Sequence, residues 1–178
     1  DSEEGFCRFG NIHSGIGLIL SGIGRNNAAT AVCHQACESN YAAWINLGTV
    51  VHYGLPLGAP RIAHKVHCVP TRRSWYPQFV FETPCPTATV RTIDRISENF
   101  PTDDLYDTEA SGFYGAAAQF SPHEMIHSFK VVHDIQARAG EALPPGTISS
   151  LVEDNLKTFN YLIEPLQRLS AELSQRRV

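Results

Sequence analysis

The sequence predicts an α/β domain of three layers, in which helices cover both faces of a mostly parallel or mixed sheet. Short apolar, β-branched runs alternate with stretches rich in helix-forming residues along the whole chain. The chain contains neither internal repeats nor low-complexity segments, which excludes repeat architectures. Because no linker interrupts its 178 residues, we expect a single domain spanning residues 1–178.

The individual elements follow from local sequence patterns. A buried strand is expected at residues 17–23, followed by a helix at 28–37 that Asn26 or Asn27 caps. Further strands are expected at 42–47, 61–66, 76–81, 88–93 and 130–132. A short buried helix is expected at 111–120, and a long helix, interrupted or kinked at Pro165, at 148–176. Residues 99–104 and 136–147 are expected to be loops because they contain proline and polar residues.

The composition excludes several classes of partner. Hydrophobic residues make up 43% and charged residues 18% of the chain, which is typical of a globular protein rather than a disordered one. A net charge of −4 predicts no nucleic-acid or anionic-membrane partner. No apolar run approaches the roughly 20 residues that a membrane span needs, and the polar first residues do not resemble a signal peptide. We therefore expect a cytoplasmic protein with reduced cysteines packed in its core; these are Cys7, Cys33, Cys37, Cys68 and Cys85.

A glycine-rich segment follows the first predicted strand. Residues 21–29 read SGIGRNNAA and lead into the first predicted helix. Backbone N–H groups in such a turn can approach an anion or a sugar closely. The segment is not a dinucleotide-binding fingerprint, because Asn27 stands where the third glycine would be. A ligand-binding loop and a plain tight turn are equally compatible with this pattern.

Residues 123–127 read HEMIH, which matches the HExxH motif of zinc proteases. His123, His127 and His133 could supply three imidazole ligands, with Glu124 as the base. However, the protease pattern requires a glycine three residues after the second histidine, where Lys130 stands. We therefore expect no metal here, but surface histidines in a helical turn that leads into a strand. A zinc metalloprotease is the less favoured alternative.

Carboxylates follow two of the apolar strands. Asp107 and Glu109 lie between a short apolar segment and an alanine-rich helix, and Asp134 follows the strand at 130–132. A carboxylate at such a position needs a partner, such as a ligand hydroxyl, if it is buried. Ligands in α/β sheets bind beyond the carboxyl ends of strands. The alternatives are that Asp107 or Glu109 caps the helix and that Asp134 is an ordinary loop residue.

Four segments, in order, resemble segments of the nucleoside phosphorylase and nucleosidase superfamily. They are residues 21–29 (SGIGRNNAA), 45–49 (INLGT), 106–114 (YDTEASGFY) and 130–134 (KVVHD). The resemblance extends over nearly the whole chain and is nearest to methylthioadenosine/S-adenosylhomocysteine nucleosidase-like proteins. It implies a three-layer α/β/α sandwich around a mixed, partly closed sheet, and an enzyme that cleaves N-glycosidic bonds of purine nucleosides or 5′-thio-nucleosides.

The resemblance also implies roles for individual residues. Asp134 would be the catalytic residue that protonates purine N7, and Glu109 with Thr108 would bind the ribose hydroxyls. The backbone lining of the sugar or nucleophile site would come from Gly22, Gly24, Gly48 and Thr49. The implied ligand is a purine nucleoside, with phosphate as a possible second one. No cofactor is implied, and a homodimer or higher homo-oligomer is expected.

The chain departs from the family pattern at several points. Thr108 replaces a methionine, His133 replaces a serine, and Val51 adds a side chain where backbone should approach a ligand. Family members begin with a strand and a glutamate that activates water, which has no counterpart here, so the domain is expected to be N-terminally truncated. Hydrolysis is favoured over phosphorolysis, because Arg25 is the only basic residue in the first glycine turn. The alternative is a non-catalytic nucleoside-binding paralogue.

Overall fold

The computed structural model describes residues 6–11, 14–95, 103–133 and 146–175. The strands are β1 (Arg8–Asn11), β2 (Ile16–Ile19), β3 (Trp44–Val51), β4 (Pro60–Cys68), β5 (Ser74–Trp75), β6 (Thr87–Thr92), β7 (Leu105–Asp107) and β8 (Ile126–His133). The helices are α1 (Arg25–Glu38), α2 (Ala110–Ala117), α3 (Thr147–Asp154) and α4 (Leu156–Gln175). A 3-10 turn at His123–Met125 precedes β8.

Strands β3 to β8 form a mixed sheet, with the strand order β5-β4-β6-β7-β3-β8. The longest pairing is between β3 and β8, which run parallel over their full lengths, from Trp44 opposite Ile126 to Val51 opposite His133. Strand β8 also pairs antiparallel with the start of β4, and this pairing curls the sheet back on itself. Strands β1 and β2 form a separate antiparallel hairpin.

Two apolar clusters cover the two faces of the sheet. On one face, α1 and α2 pack on residues such as Val50, Val90 and Val132. On the other face, α3 and α4 pack on residues such as Ile62 and Phe129. The result is a sheet flanked by helices, with a partly closed strand arrangement. The predicted three-layer α/β/α fold around a mixed, partly closed sheet is therefore confirmed.

The predicted side-chain cap of the first helix is wrong. Helix α1 begins at Arg25 after Gly24, whose positive φ of 98° suits a glycine, and no side chain caps this end. The side chain of Asn27 instead donates to the carbonyl of Ile23. The preceding strand is also shorter than expected, because β2 ends at Ile19, and the prediction that it is buried is wrong: Ile16, Gly17 and Leu18 are exposed.

The predicted strand at residues 76–81 is wrong as well. The only pairing near it is β5, which lies just before it. Pro77 has no N–H to offer a neighbouring strand, and Phe79 and Phe81 turn inward to contact the ring of His127. Aromatic packing, rather than strand pairing, therefore determines the path of this segment.

The long C-terminal helix is interrupted at Asn155 and not at Pro165. Asn155 separates α3 from α4, and its side-chain amide donates to the carbonyls of Gly58 (3.0 Å) and Leu151 (2.9 Å). Pro165 lies inside α4. The interruption therefore comes from a polar contact with a distant loop, which the local pattern did not reveal. Most of the predicted loops at 99–104 and 136–147 lies outside the described residues.

The cysteines are free, but they do not all pack in the core. Cys68 and Cys85 are buried, whereas Cys7, Cys33 and Cys37 are exposed, so the prediction of core packing is wrong for these three. Within the part of the chain that the structure describes, no helix is long and apolar enough to cross a membrane.

Helix α2 packs directly against the start of α1 at Gly112. A Cβ atom at this position would overlap the backbone of Arg25. We predict that Gly112→Ala lowers the free energy of unfolding by about 3 kcal/mol, because the two helices must separate to admit the methyl group. Urea denaturation measures this change. Gly10→Ala is the control, since its Cβ would enter open space, and equal losses for both variants would contradict the prediction.

Candidate functional site

The glycine turn and the segment after β7 meet through a carboxylate. The amide of Gly24 donates to Glu109 Oε1 at 2.7 Å, across 85 positions of sequence. The hydroxyl of Thr108 donates to the same oxygen. An ionised carboxylate has about four acceptor positions, and these two hydrogen bonds fall on one oxygen. Glu109 is only half-buried. Its other oxygen, Oε2, can therefore accept further hydrogen bonds.

Asp107 lies two residues before Glu109 and holds the start of α2. Its Oδ2 accepts from the amide of Ala110 (2.9 Å), and its Oδ1 accepts from the hydroxyl of Thr92 (2.8 Å). Thr92 in turn accepts from the amide of Ser111 at 2.9 Å. The alternative of a helix cap is therefore correct for Asp107. It is not correct for Glu109, which reaches back to the glycine turn.

The partner that makes burial of Asp107 possible is Lys130 of β8. Lys130 Nζ lies 2.8 Å from Asp107 Oδ2, and the two side chains are 1% and 0% exposed. A Cβ atom at Gly48 would lie only 3.3 Å from the same Nζ. The ion pair thus lies in the sheet layer beneath Gly48, and no ligand hydroxyl is needed to satisfy Asp107.

Arg25, at the start of α1, has both ends of its guanidinium occupied. Nη2 lies 3.1 Å from Asp94 Oδ1, and Nη1 donates to Cys68 Sγ at 3.4 Å. Burial alone would raise the pKa of the Cys68 thiol, but hydrogen bonds from Thr71, Ser111 and Arg25 outweigh it and lower the pKa. The positive charge of Arg25 is therefore partly compensated by groups of the protein itself.

A polar pocket of about 320 Å³ lies beside the glycine turn. Its lining comes from the turn, from the start of α1, from the two residues after β6 and from Thr108: Ile23, Gly24, Arg25, Asn26, Asn27, Ile93, Asp94 and Thr108. This volume is at the lower end of the range for small-molecule sites, about 300–1,000 Å³. Among its described lining residues, Arg25 is the single cation.

The structure brings some of the predicted site residues together and separates others. Gly24, Thr108 and Glu109 are in direct contact. Gly22 lies in the same turn with a positive φ of 73°. Asp134 lies outside the described residues, so its place relative to Glu109 stays a prediction.

Gly48 and Thr49 are interior positions of β3 rather than a loop. They pair with Lys130 and Val131 of β8, and neither is among the residues that line the pocket. Val51, which was expected to obstruct a ligand, is 1% exposed and belongs to the core. The side chain of Val51 therefore does not project into the described pocket.

The HEMIH segment does not form the helix that a zinc protease requires. His123 lies in the 3-10 turn, with Nδ1 2.9 Å from the hydroxyl of Tyr114. His127 belongs to β8, where it is fully buried against Phe79 and Phe81, and the prediction of a surface histidine is wrong for it. Within the described ranges, no group of three or more His, Cys, Asp or Glu residues is arranged to hold a metal ion.

The buried ion pair and the contact that positions Glu109 were not predicted from the sequence. One signal was available: Lys130 interrupts an otherwise apolar strand, and a lysine inside a buried strand needs a carboxylate partner. The contact between Gly24 and Glu109 had no local signal, because it joins segments 85 positions apart.

No family model matches the chain, and no curated protein matches it. A futalosine hydrolase mutant of Helicobacter pylori is similar in structure, with a TM-score of 0.65 and 7% identity over 85% of this chain and 80% of that chain. A methylthioadenosine/S-adenosylhomocysteine nucleosidase from Colwellia psychrerythraea, in complex with adenine, is similar with a TM-score of 0.58 and 17% identity. The match covers 86% of this chain and 78% of that chain. A nucleosidase of Helicobacter pylori is similar with a TM-score of 0.63 and 8% identity, over 86% of this chain and 80% of that chain.

These structural neighbours define the fold. The chain has the fold of the nucleoside phosphorylase and nucleosidase superfamily, as the resemblance of its four segments implied.

The Lys130–Asp107 pair should dominate the stability of this region. We predict that Lys130→Met lowers the free energy of unfolding by about 4 kcal/mol, because it leaves Asp107 buried without a counter-charge. The double variant Lys130→Met/Asp107→Asn should recover part of this loss. Glu38→Gln, which breaks an exposed pair with Arg8, should cost less than about 1 kcal/mol. Denaturant unfolding of all variants measures these changes, and a double variant less stable than Lys130→Met would contradict the assignment.

Burial of His127 should make stability depend on pH. Burial lowers the pKa of His127 from 6.5 to about 4, against the opposing effect of its hydrogen bond with the Glu124 carbonyl. As pH falls from 6.5 to 4, the unfolded chain therefore takes up a proton that the folded chain does not, and the folded state is destabilised. We predict that His127 contributes on the order of 3 kcal/mol to this loss. The loss should be smaller in His127→Gln, as measured by urea unfolding at both pH values; identical pH dependence in both proteins would refute it.

Proposed function

We propose that this chain binds a purine nucleoside or 5′-thio-nucleoside beside the glycine turn and cleaves its N-glycosidic bond by hydrolysis. The observation that carries the proposal is the Glu109 carboxylate, which accepts hydrogen bonds from Gly24 and Thr108, two residues that line a polar pocket. The structural neighbours support it, because they include nucleosidases, and the Colwellia psychrerythraea protein is in complex with adenine.

Glu109 is proposed to bind the ribose hydroxyls. Oε1 already accepts from Gly24 and Thr108, which fixes the orientation of the carboxylate. The free acceptor positions suit two vicinal hydroxyls, since a carboxylate can accept a pair of donors side by side. Thr108 and the backbone of Gly22 and Gly24 would line the sugar on the same side.

Asp134 is proposed to protonate purine N7. Cleavage passes through an oxocarbenium-like state, so the electron pair of the breaking bond must move onto the base. Protonation at N7 stabilises the base as a leaving group, while Glu109 holds the sugar. We assign no residue of this chain to the activation of water.

Hydrolysis is preferred over phosphorolysis because of the charge in the pocket. Bound phosphate needs cationic side chains, and Arg25 is the one cation among the described lining residues. Arg25 is already engaged by Asp94 and Cys68. Water therefore fits the described pocket better than phosphate as the second reactant.

Binding of a nucleoside and of its free base should respond differently to Glu109. We predict that Glu109→Gln weakens binding of 5′-methylthioadenosine about 10- to 100-fold, the contribution of hydrogen bonds to a charged group, and leaves adenine binding unchanged. Isothermal titration calorimetry with both ligands measures this. Glu82→Gln, at an exposed position, is the control. Equal losses for both ligands would place Glu109 outside a ribose site.

Turnover distinguishes the reaction types. Release of adenine from 5′-methylthioadenosine should be independent of added phosphate and abolished by Asp134→Asn. Turnover that requires phosphate would overturn the hydrolysis assignment. Binding without turnover would favour a non-catalytic nucleoside-binding protein. The absence of both binding and turnover would overturn the proposed function.

A further inference from the structure

One face of strands β4 and β6 carries basic side chains. Val66 of β4 and Val90 of β6 belong to the core cluster on the side of α2. Successive side chains of a strand point to opposite faces, so Lys65, His67 and Arg91 project from the face that lies away from α2. All three are partly exposed to solvent. This part of the sheet therefore presents basic groups that a ligand can reach.

The pairing of the strands brings these side chains to neighbouring positions. His67 is level with Ser74 of β5 on one side and with Arg91 of β6 on the other. Nδ1 of the His67 ring lies 2.9 Å from the hydroxyl oxygen of Ser74. Lys65 lies two residues before His67 on the same face, roughly 7 Å away along the strand. We call Lys65, His67, Ser74 and Arg91 the basic cluster.

The basic cluster holds hydrogen-bond donors that are left for a ligand. Nε of Arg91 donates to Oδ2 of Asp104, and both Nη groups of the guanidinium remain for another acceptor. When the hydroxyl of Ser74 donates to Nδ1 of His67, the other ring nitrogen carries the proton and can donate. Nζ of Lys65 lies over an aromatic ring, 5.8 Å from its centre, and no described carboxylate pairs with it.

The positive charge of the basic cluster is only partly compensated. Partial burial lowers the pKa of His67, and the positive charges of Arg91 and Lys65 lower it further, against the opposing carboxylate of Asp104. Residues 61–95 as a whole contain six of the chain's 14 Lys and Arg residues and two of its 18 Asp and Glu residues. The cluster therefore lies in a basic region of an acidic chain, and such a region attracts anions.

The donors of the basic cluster suit a phosphate monoester better than a carboxylate. A phosphate monoester has three terminal oxygens and a charge of about −1.5 to −2 near neutral pH. The guanidinium of Arg91 can bind two of these oxygens side by side, which leaves the third for Lys65 and His67. A carboxylate has two oxygens, which the guanidinium alone would occupy, so Lys65 and His67 would stay without an acceptor.

We propose that the basic cluster is a binding site for the phosphate group of a small phosphate monoester. Arg91 binds two phosphate oxygens, Lys65 and His67 bind the third, and Ser74 orients the ring of His67. The ring of Tyr76 is 60% exposed beside Lys65, where it can pack against the organic part of the ester. None of these residues lines the pocket beside the glycine turn, so the site is independent of the proposed nucleoside site.

The test uses phenyl phosphate as the probe and benzoate, which carries a carboxylate on the same ring, as the comparison. Isothermal titration calorimetry with the 178-residue chain should give a Kd for phenyl phosphate of about 1 mM or lower. Benzoate should bind at least about 10-fold more weakly, because it lacks the third oxygen. In NMR titrations, phenyl phosphate should raise the pKa of His67, because a nearby anion favours the charged imidazole.

Two variants of the basic cluster and one control separate a local site from a general charge effect. Lys65→Gln and Arg91→Gln should each weaken binding of phenyl phosphate about 10- to 100-fold, the contribution of hydrogen bonds to a charged group. Arg73→Gln is the matched control. Arg73 is exposed and lies 5.0 Å from the centre of the Trp75 ring, which contacts Tyr114 of α2 on the other face of the sheet. Arg73→Gln should change the affinity less than about 3-fold, because solvent and salt screen its charge. Thermal unfolding shows that each variant folds, and Lys65→Gln breaks no ion pair among the described residues.

Several results would overturn the proposal. Phenyl phosphate that does not bind, or benzoate that binds equally well, would exclude a phosphate site. Equal losses for Arg73→Gln and Arg91→Gln would indicate a general attraction of anions. NMR shifts around Arg25 in place of β4 and β6 would locate the anion beside the glycine turn. Inorganic phosphate that binds as tightly as phenyl phosphate would make free phosphate, and not an ester, the ligand.

Discussion

The buried ion pair between Lys130 and Asp107 is the interaction on which the rest of this region depends. Two charges that are 1% and 0% exposed have given up their hydration, and only their 2.8 Å contact and the hydrogen bonds from Thr92 and Ala110 offset that cost. Removing either partner would leave the other charge unpaired in the core. The pair therefore fixes β7, β8 and the start of α2 relative to one another, and Gly48 keeps the necessary space by lacking a side chain.

The candidate site inherits its geometry from this fixed core. Asp107 is anchored by Lys130, so Glu109, two residues later, leaves the core in a defined direction and meets the amide of Gly24. The glycine turn is held from the other side, because Gly112 lets α2 pack directly on the backbone of Arg25. A half-buried carboxylate on a flexible loop would lose much of its binding energy to ordering. Here the ordering is supplied by folding, which is how preorganised sites gain affinity.

The sequence predicted the layers of the fold better than the contacts within it. Apolar runs predicted strand β3 and the second half of β8, and the alanine-rich segment predicted α2, because hydrophobic periodicity is a local property. Contacts that join distant segments had no such signal. The break at Asn155 depends on the carbonyl of Gly58, and the path of the predicted strand at 76–81 depends on His127. In the site, the segment resemblance singled out Thr108, Glu109 and the glycine turn, but not Lys130, whose role requires the β3–β8 pairing to be known.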